Sequence, residues 1–110
     1  MKTYKSEADV KSAIKQILRD NDVWYFMPSM NGFGRAGIPD FVCCVAGKFL
    51  SIEAKFGNNK ATVHQLREID EIARHGGTAL LVSEKELCYL TPHIQALKTK
   101  GDNASSREET

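Results

Sequence analysis

Asp40, Glu53 and Lys55 are the residues of this 110-residue sequence whose types and spacing point most directly to chemistry. If Ala46 and Gly47 are the two turn residues of a hairpin, Val45 pairs with Lys48 and Asp40 faces Glu53 across it. Side chains alternate along a strand, so Lys55 leaves from the same face as Glu53, one step on. Opposed carboxylates with Cβ atoms about 5 Å apart repel, and a divalent cation between them removes that cost. Hard oxygen ligands suit Mg²⁺ or Mn²⁺ and leave coordination positions for water and a phosphate oxygen. Such an ion acidifies water, polarises a phosphoryl group and orients attack, which is the chemistry of phosphodiester hydrolysis. Lys55 would hold or help deprotonate the attacking water, or offset charge on the phosphate, and the sequence does not separate these roles. The competing reading is a Pro39-Asp40 turn pair beside a solvated Glu53/Lys55 ion pair on an open sheet face. Against it, Asp40 is the one charge in an otherwise apolar run, and a buried charge is costly unless paired or metal-bound.

Other residues could join this group. Glu7 falls in the first turn of a helix, where the dipole favours an acid; it could reach the same metal directly or through water, and the dipole alone accounts for it equally well. Gln65 could orient a ligand or the nucleophile, although the capping pattern Thr62-x-x-Gln65 is sufficient reason for it. The loop that includes Phe33, Gly34 and Arg35 offers backbone amides, an aromatic ring and a guanidinium to a nucleic acid, and Lys60 would extend a phosphate track. His64, His75 and His93 lack zinc-ligand spacing.

These residues need a scaffold. Ser6 with Asp9 starts an amphipathic helix over 6–21, with Val10, Ile14, Ile17 and Leu18 on one face. A strand over 23–27 is closed by Pro28, and glycines make 29–37 a loop. Residues 38–45 read as a central strand and 48–55 as its return, with Leu50, Ile52 and Ala54 on one face. A second helix starts at Thr62, carries Leu66, Ile69, Ile72 and Ala73 on one face, and stops at Gly76-Gly77. Residues 78–82 read as a short strand, 88–90 as a shorter one, and 91–98 as a last helix. The order αβββαβ predicts an α/β fold, a mixed central sheet flanked by helices.

Length allows one domain, expected over 1–100, with the polar stretch 101–110 a disordered tail. The 15 basic and 14 acidic residues give a net charge of +1, so contact with nucleic acid must come from a local patch. No run approaches the ~20 apolar residues of a membrane span and the N-terminus lacks the apolar segment of a signal peptide, so a cytoplasmic protein is expected, without membrane contact. Cys43, Cys44 and Cys88 suit neither a disulfide framework nor a metal site and read as small buried apolar residues.

The ordered set of Glu7 on an opening helix, Gly37-Ile38-Pro39-Asp40, Glu53-Ala54-Lys55 and Gln65 on the next helix resembles the VRR-NUC domain of the PD-(D/E)XK nuclease superfamily, from about residue 6 to 82. The resemblance implies a restriction-endonuclease-like αβββαβ core. It implies that Asp40, Glu53 and the backbone carbonyl of Ala54 bind Mg²⁺ or Mn²⁺, with Lys55 as the catalytic lysine and Glu7 and Gln65 in support. Short stand-alone members, from phages and bacteria, resemble Holliday junction resolvases and act as homodimers. The resemblance therefore implies a bacterial or phage-infected host cell, a homodimer, and a branched DNA substrate, the four-way junction first. The alternatives are a nicking or flap-cutting endonuclease with the same active site, and a DNA-binding module without activity.

Overall fold

The computed structural model describes residues 3–29 and 35–106, side chains of 100–106 excepted. Helix α1 (Glu7–Asp20) opens at Ser6, whose side chain accepts the Asp9 amide, and buries Val10, Ala13, Ile14 and Leu18. Strand β1 (Trp24–Phe26) follows, then the hairpin of β2 (Phe41–Val45) and β3 (Lys48–Ala54). Its register pairs Val45 with Lys48 and Phe41 with Ile52, as the two-residue turn requires. Ala46 and Gly47 both have positive φ, +52° and +80°, the twist that lets a two-residue turn join twisted strands.

Helix α2 (Val63–Arg74) crosses to strand β4 (Thr78–Val82), and helix α3 (Leu87–Ser106) completes the order. The sheet runs β1-β2-β3-β4, antiparallel through the first three strands and parallel between β3 and β4. It is the expected mixed sheet flanked by helices. Strand alternation divides its two faces. Phe41, Cys43, Leu50, Ile52 and Ala54 join residues of α1 and α3 in the core, whereas Ser51 and Glu53 point the other way, towards Gln65, Ile69 and Ile72 of α2. Phe41 and Ile52 are fully buried, each stabilising the fold by roughly 1.5–3 kcal/mol. They thereby anchor the residues next to them, Asp40 and Glu53.

Several local expectations are corrected. The segment 88–90 is helix, not strand: α3 begins at Leu87, and Leu87, Leu90, Ile94 and Leu97 form its buried stripe. Ser83 and Glu86 lead into it, the Ser83 amide and hydroxyl both donating to Glu86 Oε1 (2.8 and 2.7 Å). The helix is described through Ser106, and 107–110 lie outside the described residues. Strand β2 starts at Phe41, which leaves Asp40 in a bend just before it. Cys43 is buried, and burial pushes its thiol pKa up to about 12, but Cys44 and Cys88 are exposed. On α2, Leu66 and Ala73 face outward and the buried residue is Glu68.

Candidate active site

The hairpin brings Asp40 and Glu53 to one end of the sheet. Asp40 stands one residue beyond the last pair of the ladder, its side chain 12% exposed, and its Oδ2 accepts the Ala54 amide at 2.9 Å. That bond continues the hairpin through a side chain and fixes the carboxylate against β3. Glu53 is only 7% exposed although it carries an acid. Its Oε2 accepts Gln65 Nε2 at 2.6 Å, while its Oε1 is buried without a hydrogen-bond partner among the described residues.

Burial, then the nearby charge of Asp40, pushes the Glu53 pKa from 4.5 up to about 7; Lys55 and then the Asp40 backbone amide pull it the other way, and Glu7 adds a small upward push. The acid pair is therefore held at electrostatic cost. A fully satisfied structural carboxylate would have no reason to keep a bare oxygen. A hard cation fits here: Asp40 and Glu53 supply oxygen donors and Glu53 Oε1 lacks a partner. Among the described residues no group of three or more His, Cys, Asp or Glu side chains could hold a metal, so a cation bound by these two acids would take its other ligands from backbone oxygen, water or substrate.

Gln65 serves two purposes at once. Its Oε1 accepts the Thr62 amide at 2.9 Å, closing the capping box, while its Nε2 holds Glu53. Capping and orienting an acid were alternatives in the sequence, and one side chain does both. Lys55 follows Glu53 on the same face, half-buried, with its backbone amide tied to the Val82 carbonyl of β4 at 2.9 Å.

Two residues absent from the sequence argument shape the site. Lys11, one turn after Glu7, puts its ammonium 3.5 Å from Asp40 Oδ1 and 3.6 Å from Glu7 Oε2. Glu7 thus meets Asp40 through a lysine. Glu68, one turn after Gln65, takes Arg35 in a two-pronged pair, Nε to Oε2 at 2.7 Å and Nη2 to Oε1 at 2.9 Å. The guanidinium expected to grip phosphate is engaged within the protein. Only helical spacing, four residues from Glu7 and three from Gln65, signals either residue in the sequence. Phe33 and Gly34 lie outside the described residues, and Lys60 is exposed on the link between β3 and α2.

Gly37 positions the approach to Asp40. Its φ is +87°, and a Cβ there would overlap the His64 carbonyl and stand 2.9 Å from the Gln65 nitrogen. The chain entering Pro39-Asp40 therefore lies directly against the first turn of α2, the turn that presents Gln65.

Neither a family model nor a curated protein matches the chain. A solved structure described as a VRR_NUC domain does: the two superpose with a TM-score of 0.67 over 82% of this chain and 98% of that one, at 25% sequence identity. The likeness spans nearly the whole of that domain. That likeness in fold, together with Pro39-Asp40 and Glu53-Ala54-Lys55 brought to one end of the sheet, supports the VRR-NUC family for this chain.

Proposed function

We propose that this protein is an endodeoxyribonuclease that uses Mg²⁺ or Mn²⁺ to hydrolyse phosphodiester bonds in branched DNA, acting as a homodimer on four-way junctions. The observation that carries the reading is the buried Glu53 carboxylate with one bare oxygen, kept beside Asp40 by the hairpin and by Gln65. The likeness to a VRR_NUC domain supports the same class of activity.

Asp40, Glu53 and the Ala54 carbonyl would hold the ion. When bound, it acidifies a water and polarises the phosphoryl group. The protein's own contribution is to position and to balance charge. Gln65 fixes the rotamer of Glu53, and the Ala54 amide fixes Asp40, so neither acid must be ordered when substrate arrives. Lys55 supplies a positive charge on the substrate side of Glu53, where it orients the attacking water or offsets charge on the phosphate oxygens as the new P–O bond forms and the old one breaks.

Trp24, Cys44 and Phe49 lie in one row across three strands, and Trp24 meets Phe26 edge to face. All four are exposed, an apolar surface that supports pairing of two copies.

Incubation of the protein with synthetic four-way junctions, flaps and duplexes in Mg²⁺ or Mn²⁺ tests this reading. Paired, symmetric cuts in the junction are the expected result. Asp40→Ala, Glu53→Ala and Lys55→Ala should each lower the rate by roughly 10²-fold or more while keeping most DNA binding. Cuts confined to flaps or nicked duplex would replace junction resolution with the related activity; cleavage retained in all three variants would overturn the site, and absence of cleavage with both ions would leave a binding module.

A further inference from the structure

Next to the acidic pair, the loop after β3 and the turn before α3 enclose a cleft of about 570 Å³. Lys55, Lys60 and Lys85 bring three ammonium groups to its lining. Its one carboxylate, Glu86, is engaged: it accepts both the amide and the hydroxyl of Ser83, bonds that pull its pKa down. Glu84 faces the neighbouring loop, where its Oε1 accepts the Gly57 amide at 3.1 Å. The lining therefore carries an excess of two positive charges in a chain whose total is only +1. Two apolar side chains share the cleft while remaining open to solvent, Leu66 at 52% and Leu81 at 38% exposure. The outward turn of Leu66, unexpected from the helical pattern of α2, places it here.

Positive groups beside an exposed aliphatic wall match one class of ligand, a nucleotide unit with its phosphate, sugar and base. We propose that this cleft is the subsite for the nucleotide adjoining the scissile bond. Lys60 and Lys85 hold its phosphate oxygens, and Leu66 and Leu81 pack against its sugar and base. Lys55 is common to this cleft and to the face that carries Glu53, which makes the two sites successive stations along one strand. Lys85 Nζ lies 3.4 Å from both the Gly57 carbonyl and Asn58 Oδ1, long bonds that a phosphate oxygen can displace. The inference rests on the nuclease reading for the identity of the strand.

The test compares the wild type with Lys60→Gln, Lys60→Arg and the double variant Lys60→Gln/Lys85→Gln. Cleavage of branched DNA in Mn²⁺ gives kcat and KM, and fluorescence anisotropy of labelled DNA without metal, over a salt series, gives binding. The double variant should raise KM several-fold with kcat nearly unchanged and should lower the salt slope by about 1, for the one phosphate that the two lysines no longer neutralise. Lys60→Arg should retain wild-type values. A deoxynucleoside monophosphate should compete with DNA better than inorganic phosphate, since only the former reaches the leucines. If the wild type cleaves and the double variant keeps its KM and salt slope, the subsite is wrong and the nuclease stands. If the wild type cuts nothing, the nuclease reading falls, and the salt slopes still decide whether the cleft binds the strand. Equal competition by phosphate and mononucleotide would overturn the role of Leu66 and Leu81.

Discussion

Gln65 Nε2 donates to Glu53 Oε2 at 2.6 Å, and the other oxygen of that carboxylate is buried with no partner among the described residues. One half of the acid is fixed and the other is left to whatever ligand the site takes. Gln65→Ala removes the fixing bond together with the capping box. It should cost about 1 kcal/mol of stability through the cap and weaken Mn²⁺ binding as Glu53 gains rotamer freedom. Gln65→Glu keeps a carboxyl oxygen for the Thr62 amide but brings a second charge to Glu53, so it should restore part of the stability and none of the metal affinity. Thermal melts paired with calorimetry check this; equal Mn²⁺ affinity in all three proteins would remove Gln65 from the site.

The raised pKa of Glu53, about 7 against 4.5 in the unfolded chain, makes stability depend on pH with a definite sign. The folded protein keeps this proton to higher pH than the unfolded chain does. Between about 4.5 and 7 it therefore binds more protons, and the stability of metal-free protein falls as pH rises through that window. The full effect is on the order of 3 kcal/mol at most. Because a divalent ion binds the ionised acid, Mn²⁺ affinity should rise over the same window with release of a proton. Unfolding in chelator at several pH values, for the wild type and Glu53→Gln, is the measurement. Identical pH slopes in the two would contradict the shift.

Why the hairpin could be read from the sequence, while Lys11 and α3 could not, follows from the range of the interactions involved. Ala46-Gly47 and the two-residue period set the register of β2 and β3, which in turn puts Asp40 beside Glu53. Those constraints are local. Lys11 looks like an ordinary surface partner of Glu7 until the end of β2 arrives beside it, from a segment far along the chain. Arg35 looks free for phosphate until Glu68 reaches it from another element. In α3 the branched and aromatic segment at 88–90 and Pro92 argued for a strand followed by a helix start, yet Leu87, Leu90, Ile94 and Leu97 keep helical spacing across the proline. Burial of that stripe outweighs the backbone bond that Pro92 cannot make. The exposure of Cys44 reflects a sheet face that α2 covers only in part.

Lys11 now neutralises Asp40 and Glu7 at a place where a divalent ion would do the same. Lys11→Gln should expose the repulsion among the acids and lower the melting temperature in chelator. It should also tighten Mn²⁺ binding, because the ion no longer competes with an ammonium. The pair is partly exposed, which limits the change to about 1 kcal/mol, or roughly fivefold in affinity. Titration calorimetry separates this from a positioning role: weaker Mn²⁺ binding in Lys11→Gln would mean that the lysine holds Asp40 in place for the metal rather than competing with it.

Gly37 and Gly76 both have strongly positive φ, +87° and +92°, but they differ in surroundings. A Cβ on Gly76 meets nothing within 4 Å, whereas one on Gly37 runs into the backbone of His64 and Gln65. Gly76→Ala should therefore show the cost of backbone conformation alone, about 1 kcal/mol. Gly37→Ala adds a clash with main chain that no side-chain rotation relieves. Either Pro39-Asp40 or the start of α2 must move, and each movement separates Asp40 from the Gln65–Glu53 pair. The expected result is a larger loss of stability than in Gly76→Ala, together with a loss of metal-dependent cleavage that the control does not share. Melting temperatures and Mn²⁺ titrations of the two variants decide it: if Gly37→Ala matches Gly76→Ala in both, the close approach of the loop to α2 does not set the geometry of the acids.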